Sequence, residues 1–245
     1  VGGGGDRGPA GGWKRSSVGP GGVTGGPNDL LHLGGWATEA GEESTDLALG
    51  ALDPRVRELI EAATAGLDWR QFDFVRRAAL SDEEAWNGVF AAVEVPAVGR
   101  RVLRHRPVPV VIRLSEGEPL DALVRVLAAG TRARASLGLS TALKLPRPLR
   151  ALLKERRVRV FVEGDEAWLE RAAKVGGGSS RIRMIGGDPR ALAEAVSGSP
   201  DVTIYAGEAT RAGRIELLPF LAGQTVSVAT HRHGRPSPVA GVRIA

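Results

Sequence analysis

The chain has 245 residues, of which 42% are hydrophobic and 25% charged, so it can bury a core in one large or two small domains. It contains no cysteine, which excludes disulfide bonds, a cysteine-ligated zinc site and a thiol nucleophile within the chain. The net charge of +5 is scattered, so it is weak evidence for a nucleic-acid partner. No apolar run approaches the roughly 20 residues of a membrane span and no signal peptide opens the chain, so we expect a cytoplasmic protein.

Glycine and proline dominate the first 28 residues, and they permit positive φ angles and tight turns. Composition alone leaves a flexible linker and a low-complexity tail open as explanations for residues 9–28. Gly3, Gly5 and Gly8 match the spacing of a dinucleotide fingerprint, but no predicted strand precedes them and no predicted helix follows them, so we discard the match. The chain begins with Val1 and a glycine run instead of Met, which suggests a fragment of a longer protein.

Two features separate this start from the rest of the chain. Leu30, Leu31 and Leu33 indicate a short strand, and the small and acidic residues of TEAGEESTD at 38–46 indicate a linker. We therefore predict a first unit at 1–37, a linker at 38–52 and a second unit at 53–245 that folds independently of the first.

The second unit opens with predicted helices. Asp53 is a suitable N-cap in front of Pro54, and apolar residues recur at helical spacing over 56–63. A second helical pattern over 69–93 is interrupted by a capping box at Ser81 and Glu84, so two or three helices are expected before residue 96. Four aromatic residues of this pattern are predicted to pack in the core and not to bind a ligand: Trp69, Phe72, Trp86 and Phe90.

Strand and helix patterns alternate from residue 108 onward. Predicted strands cover 108–114, 133–139, 158–162, 182–185 and 202–205, and predicted helices cover 120–128, 148–156, 166–174 and 189–196. Apolar strands separated by helices of this length are typical of a parallel sheet covered by helices. The predicted fold class is therefore α/β, with a Rossmann-like, mostly parallel sheet of about five strands.

A Rossmann-like sheet suggests a nucleotide, but the turns that would bind it are acidic. A pyrophosphate needs free amides at a helix N-terminus. The turns after the first and third predicted strands carry four carboxylates instead: Glu116, Glu118, Glu163 and Asp165. Gly186 and Gly187 form one partly suitable turn, where Asp188 is more suited to cap its own helix. No Walker loop or G-x-S-x-G elbow occurs, so the sheet is predicted to be a scaffold that binds no NAD.

The C-terminal run GRIELLPFLAGQTVSVATHRHG at 213–234 contains an alternating pattern that predicts a strand leaving the sheet. His231 and His233 would lie on opposite faces of such a strand and could not chelate one metal ion together. No metal site is therefore predicted.

Two segments resemble L-glutamate γ-semialdehyde (pyrroline-5-carboxylate) dehydrogenases of the aldehyde dehydrogenase superfamily. The segment PAGGWKRSSVGPGGVTGGPN at 9–28 resembles the sequence near the end of their catalytic domain, and the C-terminal run resembles the end of the long bifunctional proline utilization A proteins. The resemblance implies that residues 1–37 end an aldehyde dehydrogenase domain, with its substrate loop and oligomerisation strand. It also implies that residues 53–245 form an extra C-terminal domain.

The same resemblance implies a substrate-binding role for three residues. Gly2 and Gly3 align with a loop whose backbone amides hold the α-carboxylate of the substrate, and Ala10 aligns with a phenylalanine that packs beside the aldehyde chain. Ala10 and the glycine run around Gly3 depart from the family pattern.

The resembled enzymes oxidise L-glutamate γ-semialdehyde to glutamate with NAD+, using a cysteine thiolate and a glutamate base. The chain has no cysteine, and the family's catalytic glutamate and NAD-binding elements lie upstream of the segment that begins at Pro9. The resemblance therefore implies an inactive C-terminal portion of a longer homo-oligomeric enzyme, whose extra domain covers the active site or a substrate channel. Its partner would be the rest of the aldehyde dehydrogenase domain, and FAD would be present only if a proline dehydrogenase domain precedes it.

Two alternatives stay open at this point. The chain could be a free-standing, non-catalytic α/β module that binds a partner protein, or it could bind nucleotides or nucleic acid through its basic excess. The acids at the strand ends disfavour the second alternative, because ligands of such sheets usually bind there.

Overall fold

A computed structural model describes residues 26–36, 48–95, 100–174, 180–228, 231–232 and 235–236. Helix α1 (Pro54–Ala63) begins where predicted, and the side chain of Asp53 caps it by accepting from Arg55 N at 2.9 Å. Helix α2 (Trp69–Ala85) is capped by Asp68, which forms a capping box with Gln71. One carboxylate therefore satisfies otherwise free amides at the start of each helix.

The capping box predicted at Ser81 is wrong, because α2 continues through that residue and ends in a π-helical turn at Trp86–Phe90. The hydroxyl of Ser81 accepts a hydrogen bond from Gly213 N at 3.0 Å, from the far end of the chain. A tertiary contact thus replaces the local cap that the sequence pattern predicts.

The predicted parallel sheet is present and confirms the α/β fold class. Its order is β5-β4-β3-β6-β7, and all four neighbouring pairs are parallel. The strands are β3 (Val110–Leu114), β4 (Leu137–Thr141), β5 (Arg159–Val162), β6 (Ser180–Ile185) and β7 (Val202–Tyr205). The chain builds outward from β3 on one side and then crosses to β6 on the other, so the two directions meet between β3 and β6.

Helices cover both faces of this sheet. They are α3 (Leu120–Arg132), α4 (Arg147–Glu155), α5 (Asp165–Lys174) and α6 (Pro189–Ala195). The larger core lies under α1 to α4 and includes Ile112, Leu123 and Leu149, which are fully buried. A smaller core under α5 and α6 is built around Trp168 and Met184. The central strands β3 and β6 therefore send side chains into both helix layers.

A second, antiparallel sheet holds the two ends of the helical and parallel-sheet region together. Its order is β1 (Val93–Val95), β2 (Arg100–Pro107) and β8 (Leu221–Val228), and β2 and β8 pair along eight residues each. The C-terminal strand is thus present but pairs in this separate sheet, with a short helix α7 (Gly213–Glu216) and a 3-10 turn (Leu218–Phe220) before it. A two-stranded ribbon of β9 (His231–Arg232) and β10 (Arg235–Pro236) follows.

The strand predicted from Leu30, Leu31 and Leu33 is wrong, because Asp29–Leu33 forms a 3-10 helix. Its first turns close locally through Asp29 N to Gly26 O at 3.2 Å and Leu31 N to Asn28 O at 3.2 Å. The segment contacts α7, where Arg214 Nε donates a hydrogen bond to Asn28 Oδ1 at 3.0 Å.

The four aromatic residues predicted to be core divide into buried and exposed positions. Phe90 is buried, and Phe72 and Trp86 pack against the core from its edge. Trp69 is 53% exposed, so that part of the prediction is wrong. Trp69 is the first residue of α2, where a side chain is free to point to solvent and stacks on Arg70.

Candidate functional site

The carboxyl edge of the parallel sheet is where ligands of such folds bind, and here the protein's own side chains occupy the N-terminus of α5. The carboxylate of Glu116, after β3, accepts from Asp165 N at the start of α5 at 3.2 Å. The carboxylate of Asp165 in turn accepts from Glu116 N at 3.3 Å. The amide that would face a phosphate at this helix N-terminus is therefore already paired with an anion.

A fully buried arginine holds this turn from inside the sheet. Arg113 in β3 donates to Asp165 Oδ1 at 2.6 Å, to Ser140 Oγ at 2.7 Å and to Glu163 O at 3.1 Å. Burial opposes ionisation of Asp165, but the contact with Arg113 outweighs it and lowers the pKa of that carboxyl below its usual value. The acids predicted to repel a pyrophosphate are thus partly neutralised by arginine, and they exclude it mainly by occupying its place.

Glu163 is held in the same way on the outer side of the turn. Its carboxylate accepts from Ser140 Oγ at 2.7 Å and from Arg171 Nε at 3.1 Å. The hydrogen bond from Arg171 lowers the pKa of Glu163. Neither carboxylate is therefore free to act as a general base at neutral pH.

The turn after β6 shows why two glycines occur there. Gly186 and Gly187 have φ angles of 67° and 72°, which L-residues rarely adopt. A Cβ at Gly186 would lie 2.2 Å from Glu118 Oε1, and one at Gly187 would lie 2.5 Å from Ser115 Oγ. The glycines thus make room for side chains of the turn after β3, and Asp188 caps α6 through Arg190 N at 2.8 Å, as predicted.

The crevice between β3 and β6 is open and acidic. A cavity of about 310 Å³ lies there, lined by Phe74, Glu118, Pro119, Asp121, Ala122, Ile185, Glu208 and Ala209. Burial raises the pKa of Asp121. Three carboxylates around an apolar floor are unfavourable for a pyrophosphate.

Behind this edge lies a buried network of two ion pairs. Arg125 of α3 donates to both carboxylate oxygens of Asp82 at 2.7 and 2.8 Å, and Arg183 of β6 donates to Glu216 at 2.6 Å. Burial raises the pKa of Asp82 to about 6 despite Arg125. Glu216 is equally buried, but the pull of Arg183 outweighs burial and lowers its pKa. The network ties α2, α3, β6 and α7 together.

A second cavity of about 310 Å³ lies beside the edge strand β7. Trp36 of the N-terminal segment and Tyr205 line it together with Arg183. The guanidinium of Arg183 is already used, because it also donates to Gly207 O and Glu208 O at 2.9 Å each. The guanidinium in the polar wall of this second cavity therefore belongs to the buried ion-pair network.

The substrate residues predicted from the resemblance, Gly2, Gly3 and Ala10, lie outside the described residues. The arginines that organise the site were not predicted from the sequence. Their signal was present in the sequence, since Arg113 and Arg183 are the single charges of the predicted strands 108–114 and 182–185. A charge that is buried in such a strand must be paired.

Within the described ranges, no group of three or more metal-ligating side chains could hold an ion. No helix in those ranges is long and apolar enough to cross a membrane.

Comparison with known proteins supplies the remaining evidence. No protein-family model and no curated protein matches the chain. The chain is similar in structure to Proline Utilization A from Corynebacterium freiburgense, with 29% sequence identity and a TM-score of 0.58 over 92% of this chain and 19% of that chain. It is also similar to succinic semialdehyde dehydrogenase from Streptococcus pyogenes, with 13% identity and a TM-score of 0.42 over 62% of this chain and 40% of that chain. The first similarity, over nearly the whole chain, supports the predicted link to the proline utilization A proteins and the aldehyde dehydrogenase superfamily.

Proposed function

We propose that the chain is the C-terminal portion of an NAD-dependent L-glutamate γ-semialdehyde dehydrogenase of proline catabolism. The observation that carries the proposal is the similarity to Proline Utilization A over 92% of the chain at 29% identity. The chain spans only 19% of that protein, and in this proposal the activity belongs to the whole enzyme.

In this proposal the two units of the chain have different roles. Residues 1–37 complete the catalytic domain and include the substrate loop with Gly2, Gly3 and Ala10. Residues 38–52 link it to the extra domain at 53–245, which covers the active site or a substrate channel. The rest of the protein supplies the thiolate and the base, and it binds NAD+, which accepts the hydride.

The geometry of the sheet supports a covering role for the extra domain. The carboxylate of Glu116 accepts the hydrogen bond of the Asp165 amide at the start of α5. The side chain of Glu118 lies where a Cβ at Gly186 would be. A sheet whose strand-end turns are held together by their own side chains is suited to act as a rigid scaffold. The proposed enzyme is cytoplasmic and homo-oligomeric, and it carries FAD only if a proline dehydrogenase domain precedes this portion.

The test compares the chain with the complete reading frame that encodes it. We expect residues 1–245 alone to show no NAD+ reduction with glutamate semialdehyde, because they contain no cysteine nucleophile. The complete reading frame should encode a cysteine-bearing dehydrogenase domain upstream and should reduce NAD+ with this substrate.

Two results would contradict the proposal. One is turnover by residues 1–245 in a preparation free of host dehydrogenases. The other is a reading frame that encodes no dehydrogenase domain, which would favour a free-standing module that binds a partner protein.

A further inference from the structure

Three helix-to-strand connections of the parallel sheet end in the same backbone motif. The first residue with positive φ after α3, α4 and α6 is not glycine: Arg134 at 57°, Arg157 at 59° and Ser197 at 57°, the last followed by Gly198 at 60°. The following amides close the helix ends, with Ala135 N to Gly130 O at 3.0 Å, Val158 N to Leu153 O at 2.9 Å and Gly198 N to Ala193 O at 2.8 Å. These bonds define the Schellman motif, whose left-handed position is usually glycine.

Arginine is an unfavourable residue for the left-handed position, because its Cβ crowds the following carbonyl. Arg134 and Arg157 nevertheless occupy two of the three positions. Strained backbone at a position that a smaller residue would suit better points to a role for the side chain.

Both arginines line one cavity, at the sheet edge opposite the acidic crevice, where β4 and β5 begin. The cavity has a volume of about 110 Å³. Arg55 and Arg156 also line it, together with Thr131 and Ser136.

The charges of this cavity are poorly compensated. Arg156 pairs with Glu58 and donates to Arg55 O at 2.9 Å, but its Nη1 is buried without a hydrogen-bond partner. Among the residues the structure describes, the side chains of Arg55, Arg134 and Arg157 have no carboxylate partner. Among the described residues, the cavity thus brings together four arginines, of which Arg55, Arg134 and Arg157 are exposed, and the one carboxylate paired with any of them is that of Glu58.

We propose that this basic cavity binds a dianionic phosphate group of a small phosphate monoester. Guanidinium groups match tetrahedral oxyanions through paired N–H donors, and a dianion balances the excess charge better than a carboxylate does. The cavity of about 110 Å³ has room for a phosphate group but not for a whole nucleotide. The remainder of the ligand would lie in solvent at the cavity mouth.

Calorimetric titration of the full chain with inorganic phosphate, at constant ionic strength, tests the site. We expect saturable binding of one phosphate per chain and a rise in melting temperature with phosphate concentration. The informative variant is the double substitution Arg134→Gly and Arg157→Gly. It removes two guanidiniums and relieves both strained positions, so it should melt no lower than the parent while phosphate affinity falls at least tenfold.

The third helix end offers a matched control. Ser197→Gly relieves the same backbone strain at a position that does not line the cavity, so it should keep the parent's phosphate affinity. Arg190→Ala removes an exposed arginine on α6, outside the cavity lining, and should also leave affinity unchanged.

Three results would overturn the proposal. The first is the absence of saturable phosphate binding to the parent chain. The second is equal affinity in the Arg134→Gly/Arg157→Gly variant, which would show a general ionic effect. The third is tighter binding of a phosphodiester or of acetate than of glycerol phosphate, because a site for a dianion prefers the monoester.

Discussion

Substituting Gly213 by alanine tests the packing of α7 against α2. A Cβ at Gly213 would lie 2.3 Å from Ser81 O and 2.4 Å from Asp82 N, and both are backbone atoms that no side-chain rotation can move. The two helices must separate by about 1 Å or more, and overpacking of this kind costs roughly 1–3 kcal/mol. Separation also breaks the hydrogen bond from Gly213 N to Ser81 Oγ, worth about 1 kcal/mol. The expected loss in the free energy of unfolding is therefore about 2–4 kcal/mol.

Urea denaturation followed by circular dichroism measures this loss, and the melting temperature should fall by roughly 4–16 °C for a chain of this size. Gly88→Ala is the control, because a Cβ there meets nothing within 4 Å. That substitution should be neutral or stabilise by up to about 1 kcal/mol. If Gly213→Ala costs less than about 0.5 kcal/mol, the close approach of the two backbones is wrong.

Two further predictions concern acid stability and the division of the chain. The pKa values of Glu163 and Asp165 are lowered, so the stability they contribute is present above their usual values of 4.5 and 3.8 and is lost as pH falls below them toward the lowered values. Asp165→Asn should therefore make the fall in urea midpoint between about pH 5 and 2 shallower, and an unchanged slope would contradict this. Limited proteolysis should cut between residues 36 and 53 and leave a stable product that begins near Asp53; degradation throughout would contradict the boundary.

The sequence predicted the parallel sheet well because each of its strands has a strong local pattern. Residues 202–205 match β7 fully, and Asp53 and Asp188 cap the helices they were expected to cap. The strand predicted at 133–139 begins only at Leu137, because Ala133 and Arg134 still belong to the end of α3. The helix ends at Arg134, which has a positive φ angle but is not glycine, so the sequence carries no glycine that would mark this helix end.

Other elements depend on contacts between distant residues, which a local pattern does not contain. The strand β2 was not predicted, since Arg100–Pro107 is rich in arginine and is stabilised by pairing with β8. The site was predicted only in part for the same reason. Acidic turns were visible in the sequence, but the pairing of Asp165 with Arg113, 52 positions away, was not.

The pairing of β2 with β8 has a consequence for how this fold can be rearranged. Val108 N donates to Phe220 O at 3.0 Å, and Pro107 lies opposite Leu221, so the chain enters and leaves the parallel-sheet region at one point. A region with adjacent ends can be inserted into a loop of another protein, or have its ends joined and be opened elsewhere, without separating its strands. The pairing of β2 with β8 thus places the two ends of residues 108–220 side by side, and a rearranged chain must also keep α1 and α2, which complete the larger core.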